Sequence, residues 1–241
     1  MVDFEKLLYQ AKLSNVSNRH STTFKLMEQI IVNKNEDLTA EERNLFAISY
    51  KHIISASRAS LTKINEIFLE EKEKNDTSSV GLIEKLKSSL ENELKDGCLK
   101  MIELLDKHLI KNASSPDSKV FFYKLKGDYY RYLCYFFSSN EKYLDNAMMS
   151  YKQSTQYADV LSCINPIKID LILSFSVFYY DILKKPEEAI SIASDTLNEA
   201  IAQLETIEDG DLKETTTSLQ MLKDNIDLWS KETKKEEIDD I

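Results

Sequence analysis

The sequence predicts an all-α fold of nine antiparallel helices, and three observations carry that prediction. Glycine occurs four times and proline three times in 241 residues, where average usage of the pair is about 12%. Many short strands would need far more turn residues. Apolar residues recur at helical spacing along most of the chain. The prolines and capping residues that do occur sit where helices should begin.

Taken in order, residues 2–18 carry Phe4, Leu7, Leu8, Ala11 and Leu13 near a 3.6-residue period. A short helix follows over about 21–33, with Phe24, Met27, Ile30 and Ile31 inward. Thr39 is an N-cap with Glu42 as its capping-box partner, and the pattern then runs unbroken to about Glu73. Asn75-Asp76-Thr77-Ser78-Ser79 reads as a loop before a long helix over about 81–111. Ser114-Ser115-Pro116-Asp117 is the next break. Helices follow over about 117–138, 141–163, 167–184, 187–205 and 211–231, with Pro166 and Pro186 opening two of them. Short connections imply antiparallel neighbours. No composition shift separates domains, so residues 1–231 read as a single helical domain and 232–241 as a short charged flexible tail. Gly127-Asp128-Tyr129-Tyr130 with Ala147, Tyr151 and Ala158, and Phe178-Tyr179-Tyr180 with Pro186, Ala189 and Ala193, resemble tetratricopeptide helix pairing. Their spacing does not settle on 34 residues, which favours one irregular domain over a repeat array.

Lys and Arg total 31 against 41 acids, a net charge of −10, opposite to the balance of a nonspecific nucleic-acid binder. No apolar run is long enough to insert in a membrane, and the start, MVDFEKLLYQ, lacks a signal core. Cys98, Cys134 and Cys163 are an odd, scattered set that fits reduced thiols in a cytoplasmic protein. His20, His52 and His108 lack zinc-site spacing. No P-loop, dinucleotide fingerprint, nucleophile elbow or HExxH motif occurs. The expectation is a protein with no catalytic residue, metal or cofactor.

The informative residues are charges on aromatic-rich helices. Lys124, Asp128 and Arg131 stand at i, i+4 and i+7 and share one face. Lys51 and Arg58 are also seven apart on the third helix. Each cation either sits at a solvated helix edge, pairs with a glutamate elsewhere, or faces an anionic ligand. One internal acid, Asp128, cannot neutralise all four. If the two helices are neighbours, the surplus suits a phosphate, which has three acceptor oxygens for guanidinium forks.

Four blocks carry a resemblance to a known family. They are Arg43-Asn44-Leu45-Phe46-Ala47-Ile48-Ser49-Tyr50-Lys51 continuing through His52 to Ser60; Lys126-Gly127-Asp128-Tyr129-Tyr130-Arg131-Tyr132-Leu133; Phe175-Ser176-Val177-Phe178-Tyr179-Tyr180-Asp181-Ile182-Leu183; and Met221-Leu222-Lys223-Asp224-Asn225-Ile226-Asp227-Leu228-Trp229. Together they resemble the 14-3-3 family, colinearly from about residue 2 to 231. The resemblance implies a nine-helix cup whose groove holds an extended phosphoserine or phosphothreonine segment of a client protein. It places Lys51, Arg58, Arg131 and Tyr132 in the phosphate site, with Lys124 as an accessory cation. Asn225 would bond the peptide backbone, with Asp181 and Trp229 on the same wall. Leu173, Val177, Met221 and Leu228 would form the apolar side.

Some positions depart from the family pattern. Ser174 stands where a second backbone-clamping asparagine is usual, Asp170 where a glycine is usual, and Thr217 and Ser218 where aliphatic residues are usual; Thr62 replaces a further basic residue. Two lost hydrogen bonds at roughly 1 kcal/mol each weaken binding more than tenfold. The resemblance also implies a homodimer, with altered geometry allowed by its own departures. Leu13, Ile64, Ile67 and Leu86 would supply apolar contacts, Arg19 and Glu93 one intersubunit ion pair, and Ser60 an interface position. Thr22 and Ser89 replace a second ion pair, at little cost for an exposed pair. The function expected is a phosphopeptide-binding adaptor with a partly altered groove. The alternative is a scaffold of the same fold that binds unphosphorylated or acidic segments, or its own tail.

Overall fold

The computed structural model describes residues 3–74, 77–205 and 212–239. Among them the chain forms helices and no strand, in the order the sequence predicts: α1 (Phe4–Val16), α2 (His20–Asn33), α3 (Ala40–Glu73), α4 (Thr77–Leu104), α5 (Pro116–Phe136), α6 (Glu141–Ala158), α7 (Pro166–Asp181), α8 (Pro186–Leu204) and α9 (Lys213–Asp239). A π-helical turn, Leu105–Leu109, extends α4 into the short helical piece Ile110–Asn112. The contacts divide into two compact units, Met1–Ala113 and Ser114–Ile241.

In the first unit, α2 packs on α1 and α3, and α4 packs on α3. The capping box forms as expected: the Glu42 amide donates to Thr39 Oγ1 at 3.2 Å, and the Thr39 amide donates to Glu42 Oε2 at 2.8 Å. Lys34 Nζ also donates to Glu42, at 2.9 Å, so one buried carboxylate caps α3 and ties it to the end of α2. Phe24, Met27, Ile30, Phe46, Ile54, Leu94 and Met101 are buried in the core. Phe24 lies against Phe46 and Tyr50, and the Tyr50 hydroxyl donates to the Gly97 carbonyl at 2.7 Å. His20 and His52 stack with ring centroids 3.9 Å apart, a second tie between α2 and α3. On α1 only Ala11 is fully buried. Leu13, which shares the helical period of that segment, is 51% exposed.

In the second unit, α5 and α6 form the closest pair, α7 packs on α5, α6, α8 and α9, and α8 packs on α9. Ser115 and Asn165 cap α5 and α7 with side-chain acceptors, and Pro116 and Pro166 open those helices. Ala147, Tyr151, Leu171, Phe175 and Phe178 form one core cluster; Ile169, Ala189, Ala193, Leu222 and Trp229 form a second.

Several boundaries differ from the sequence reading. Thr77, Ser78 and Ser79 are helical, whereas Asn75 and Asp76 of the expected loop lie outside the described residues. The expected start of the last helix at 211 also lies outside them. Helix α6 stops at Ala158, five residues early, because Asn165 and Pro166 begin a new helix and the chain must turn first. The expected flexible tail is helical as far as Asp239; Asp240 and Ile241 lie outside the described residues. Two anchors explain this continuation. Trp229 is buried and stacks on Tyr180, with centroids 4.7 Å apart. The Tyr180 hydroxyl also donates to Glu232, and the residues beyond are strong helix formers.

Helix α5 approaches α6 through Gly127. A Cβ there would meet the Tyr151 ring at 2.8 Å. Tyr151 is fully buried and bonded at its hydroxyl to Arg131 and Asp128, so it cannot turn aside without breaking both. Gly127→Ala gains about 1 kcal/mol of helix propensity but forces an overpacked contact costing about 1–3 kcal/mol. The expected outcome is a net loss of stability in urea denaturation; equal or greater stability than wild type would show that Tyr151 moves freely.

Candidate functional site

The first unit contributes two cations. Lys51 is exposed and Arg58 half-buried on α3, two helical turns apart and so on one face. The Arg58 charge lies near Cys98 and draws its thiol toward ionisation, but burial dominates and pushes Cys98 up to about 12.

The second unit contributes a connected polar row. Lys124 Nζ lies 3.2 Å from Asp128 Oδ2 and 2.6 Å from Asp170 Oδ2. Arg131 Nη2 lies 3.5 Å from Asp128 Oδ1. Arg131 Nε donates to the Tyr151 hydroxyl at 3.2 Å, and that hydroxyl donates to Asp128 Oδ1 at 2.8 Å. The guanidinium carbon sits 5.0 Å from the Tyr132 ring centroid. The predicted sharing of one face by Lys124, Asp128 and Arg131 is therefore met.

Counting one internal acid was incomplete. Asp170, on α7, reaches Lys124, so within this row two carboxylates face two cations. Helical periodicity on α5 alone could not supply a partner from α7. In sequence Asp170 stands out only as a departure from the family's usual glycine; its pairing with Lys124 depends on the packing of α7 against α5.

Burial works against the charges of Lys124, Asp128 and Arg131, and neighbours outweigh it. Desolvation raises the Asp128 carboxyl, but Lys124, Arg131 and the Tyr151 hydroxyl hold it below the usual carboxylate range. Desolvation lowers Lys124 and Arg131, yet their acidic and phenolic neighbours hold both above their ordinary values. Tyr151 is raised well above its ordinary value, first by burial and then by Asp128. Lys124, Asp128 and Arg131 are therefore ionised at neutral pH, and the Tyr151 phenol is protonated.

Helix α7 carries further expected groove residues. Asp170, Ser174, Val177 and Asp181 follow one another at helical spacing, and Leu173, Ser174, Val177 and Asp181 are half-buried. Helix α9, which also packs on α7, carries Met221 and Leu228, each 51% exposed, with half-buried Asn225 between them in sequence. Trp229 faces inward against Tyr180, so its ring belongs to the core and not to the exposed face. Thr217 is exposed, with its hydroxyl turned back to the Lys213 carbonyl at 2.8 Å; Ser218 is half-buried.

The expected dimer residues all lie in the first unit. Leu13 and Leu86 are about half exposed, Ile64 and Ile67 half-buried, and Arg19, Ser60 and Glu93 exposed. Glu93 accepts a hydrogen bond from Ser57 Oγ at 2.8 Å. Tyr9 and Val16 flank Leu13 on α1, and Leu82 precedes Leu86 on α4, at 63%, 82% and 69% exposure. These three were missed in the sequence. The signal was present as a second apolar stripe, Tyr9–Leu13–Val16, at i, i+4 and i+7.

Among the described residues no cluster of three or more metal-ligating side chains occurs, and no helix is long and apolar enough to cross a membrane.

Because Asp128 is held below its ordinary value, it contributes stability above about pH 4, and that contribution is lost as pH falls through its native value. Asp128→Asn should cost about 3–5 kcal/mol at neutral pH by leaving buried cations under-compensated. Urea denaturation at pH 7 and near pH 2 checks this: the difference from wild type should shrink in acid, and a constant difference would refute the ion-pair account.

A family model described as 14-3-3 protein matches residues 10–230. The chain is 38% identical to 14-3-3 protein 5 of Solanum lycopersicum, over 98% of this chain and 94% of that one. It is 39% identical to the 14-3-3 protein homolog of Trichoderma harzianum, over 94% and 87%. It is 37% identical to 14-3-3 protein epsilon of Drosophila melanogaster, over 99% and 92%. Proteins of this family are non-enzymatic adaptors that bind phosphorylated client proteins. With the family model and these relatives spanning nearly its whole length, the chain belongs to the 14-3-3 family.

Proposed function

We propose that this chain binds extended phosphoserine or phosphothreonine segments of client proteins in the cytoplasm, as a homodimer. The family resemblance gives Lys51, Arg58, Arg131 and Tyr132 the phosphate-binding roles, with Lys124 accessory to them. Ser174 and Asn225 meet the segment's backbone. Leu173, Val177, Met221 and Leu228 take its apolar side chains, and Asp181 lies along the same wall. The carrying observation is the fixation of Arg131 by Tyr151 and Asp128. A guanidinium already held in place loses little freedom when an anion arrives, and its fork suits phosphate oxygens.

The dimer reading rests on the exposed apolar residues of α1 and α4. Tyr9, Leu13, Val16, Leu82 and Leu86 are each at least half exposed, and a second copy would cover them at about 25 cal/mol per Å² of apolar area.

Two measurements test these readings. Fluorescence anisotropy with matched peptides should show the phosphorylated form bound and the unphosphorylated form bound far more weakly. Arg58→Glu should abolish binding with helicity unchanged, and Arg58→Lys should weaken it less. Equal binding of both peptide forms overturns the phosphate mechanism in favour of a phosphate-independent scaffold. In sedimentation, wild type should be a dimer and Leu86→Glu a monomer; a dimer unaffected by that substitution would exclude this interface.

A further inference from the structure

Two methionines among the described residues are half exposed: Met221 on α9, at 51%, and Met149 on α6, at 52%. The others are sheltered. Met27 and Met101 are fully buried, and Met148 packs against the core cluster around Tyr151. Leu222 and Trp229, seven residues apart, turn into the core of the second unit. Met221 and Leu228 each precede one of them, so they share a face rotated by about 100° from it. Among the residues assigned to the apolar side of the binding surface, Leu173, Val177 and Leu228 carry only hydrocarbon, and Met221 carries an oxidisable sulfur. Its half-exposed position also means that a change of polarity there leaves the core untouched.

We infer that Met221 is a regulatory oxidation site: a peroxide converts its thioether to the sulfoxide and so lowers, reversibly, the affinity of the proposed binding surface. The inference rests on the phosphopeptide reading above. In the reaction the peroxide O–O bond breaks and one oxygen bonds to the sulfur, which gives up two electrons. The other oxygen leaves as water with both protons. The product is polar where the thioether was apolar. A ligand side chain seated on Met221 then covers an S–O dipole with no donor facing it. An unpaired polar group of that kind costs enough to weaken binding about tenfold. Reduction by a methionine sulfoxide reductase restores the apolar surface. Met149 supplies the internal comparison. It is equally open to peroxide, but it lies on α6, which carries none of the residues assigned to ligand contact.

The test uses the tightest phosphoserine peptide from a library with apolar flanks, together with its unphosphorylated twin. The protein is treated with hydrogen peroxide, then with dithiothreitol to reverse cysteine oxidation, and sulfoxides are located by mass spectrometry. Wild type should carry sulfoxide at Met149 and Met221, keep its circular dichroism and bind about tenfold more weakly by anisotropy. Sulfoxide reductases of both epimer specificities should restore its affinity. Met221→Leu, a volume-conserving change, should bind alike before and after treatment. Met149→Leu should lose affinity as wild type does, and Met221→Gln should be weak without treatment. Bound peptide should slow the oxidation of Met221 and leave that of Met149 unchanged. Equal losses in wild type and Met221→Leu overturn the inference, and so does full affinity with Met221 oxidised. If binding requires phosphate and ignores oxidation of Met221, the inference fails and the phosphopeptide reading stands. If both peptide forms bind equally and oxidation of Met221 weakens both, the inference stands and that reading fails. If no library peptide binds wild type in either form, both fail.

Discussion

The second unit is organised around one buried carboxylate. Asp128 is accessible to solvent over only a few per cent of its surface and would be costly there alone. Its cost is met by two cations and a phenol: Lys124 one turn before it, Arg131 one turn after it, and Tyr151 from α6. The absence of a side chain at Gly127 is what admits the Tyr151 ring to that position. The closest helix pair of the unit and the orientation of Arg131 thus follow from the same few atoms. A substitution made for packing reasons at Gly127 reaches the guanidinium through Tyr151.

The fold was legible because its signals are local. Thr39 and Glu42 announce α3, and Pro116, Pro166 and Pro186 open three helices, since caps and first-turn prolines act within one turn. Ends were less legible. Helix α9 continues past Trp229 because Tyr180, fifty residues earlier in sequence, holds Trp229 and Glu232, and no local pattern encodes that. The site was legible on a single helix and illegible between helices. Spacing put Lys124, Asp128 and Arg131 on one face, but the second partner of Lys124 came from α7. Family resemblance sets Trp229 on a binding wall, and the stacking of its buried ring on Tyr180 is a contact that no local pattern encodes.

The candidate site residues of the second unit lie on helices with distinct tasks. Helix α5 carries fixed charge, α7 carries short or branched residues, and α9 carries two exposed apolar residues around an amide. Charge is where preorganisation matters most, and α5 is the helix most tightly held, against both α6 and α7. The apolar residues Met221 and Leu228 are exposed and unbranched at Cβ, which suits side chains that must adapt to differing partners. The functional division follows the mechanical one.

The two carboxylates that hold Lys124 differ in what their removal should do. Asp128 is buried and bridges three groups, so its loss would strand charge in the interior and is a matter of stability. Asp170 is half in water, where an ion pair contributes roughly 0–1 kcal/mol after screening and side-chain ordering. A phosphate carrying about −1.5 to −2 charges competes for Lys124 against that small amount, and charge-assisted bonds contribute about 1.5–3 kcal/mol each. The exchange therefore remains favourable. Asp170 is too weakly held to bar an anion from Lys124.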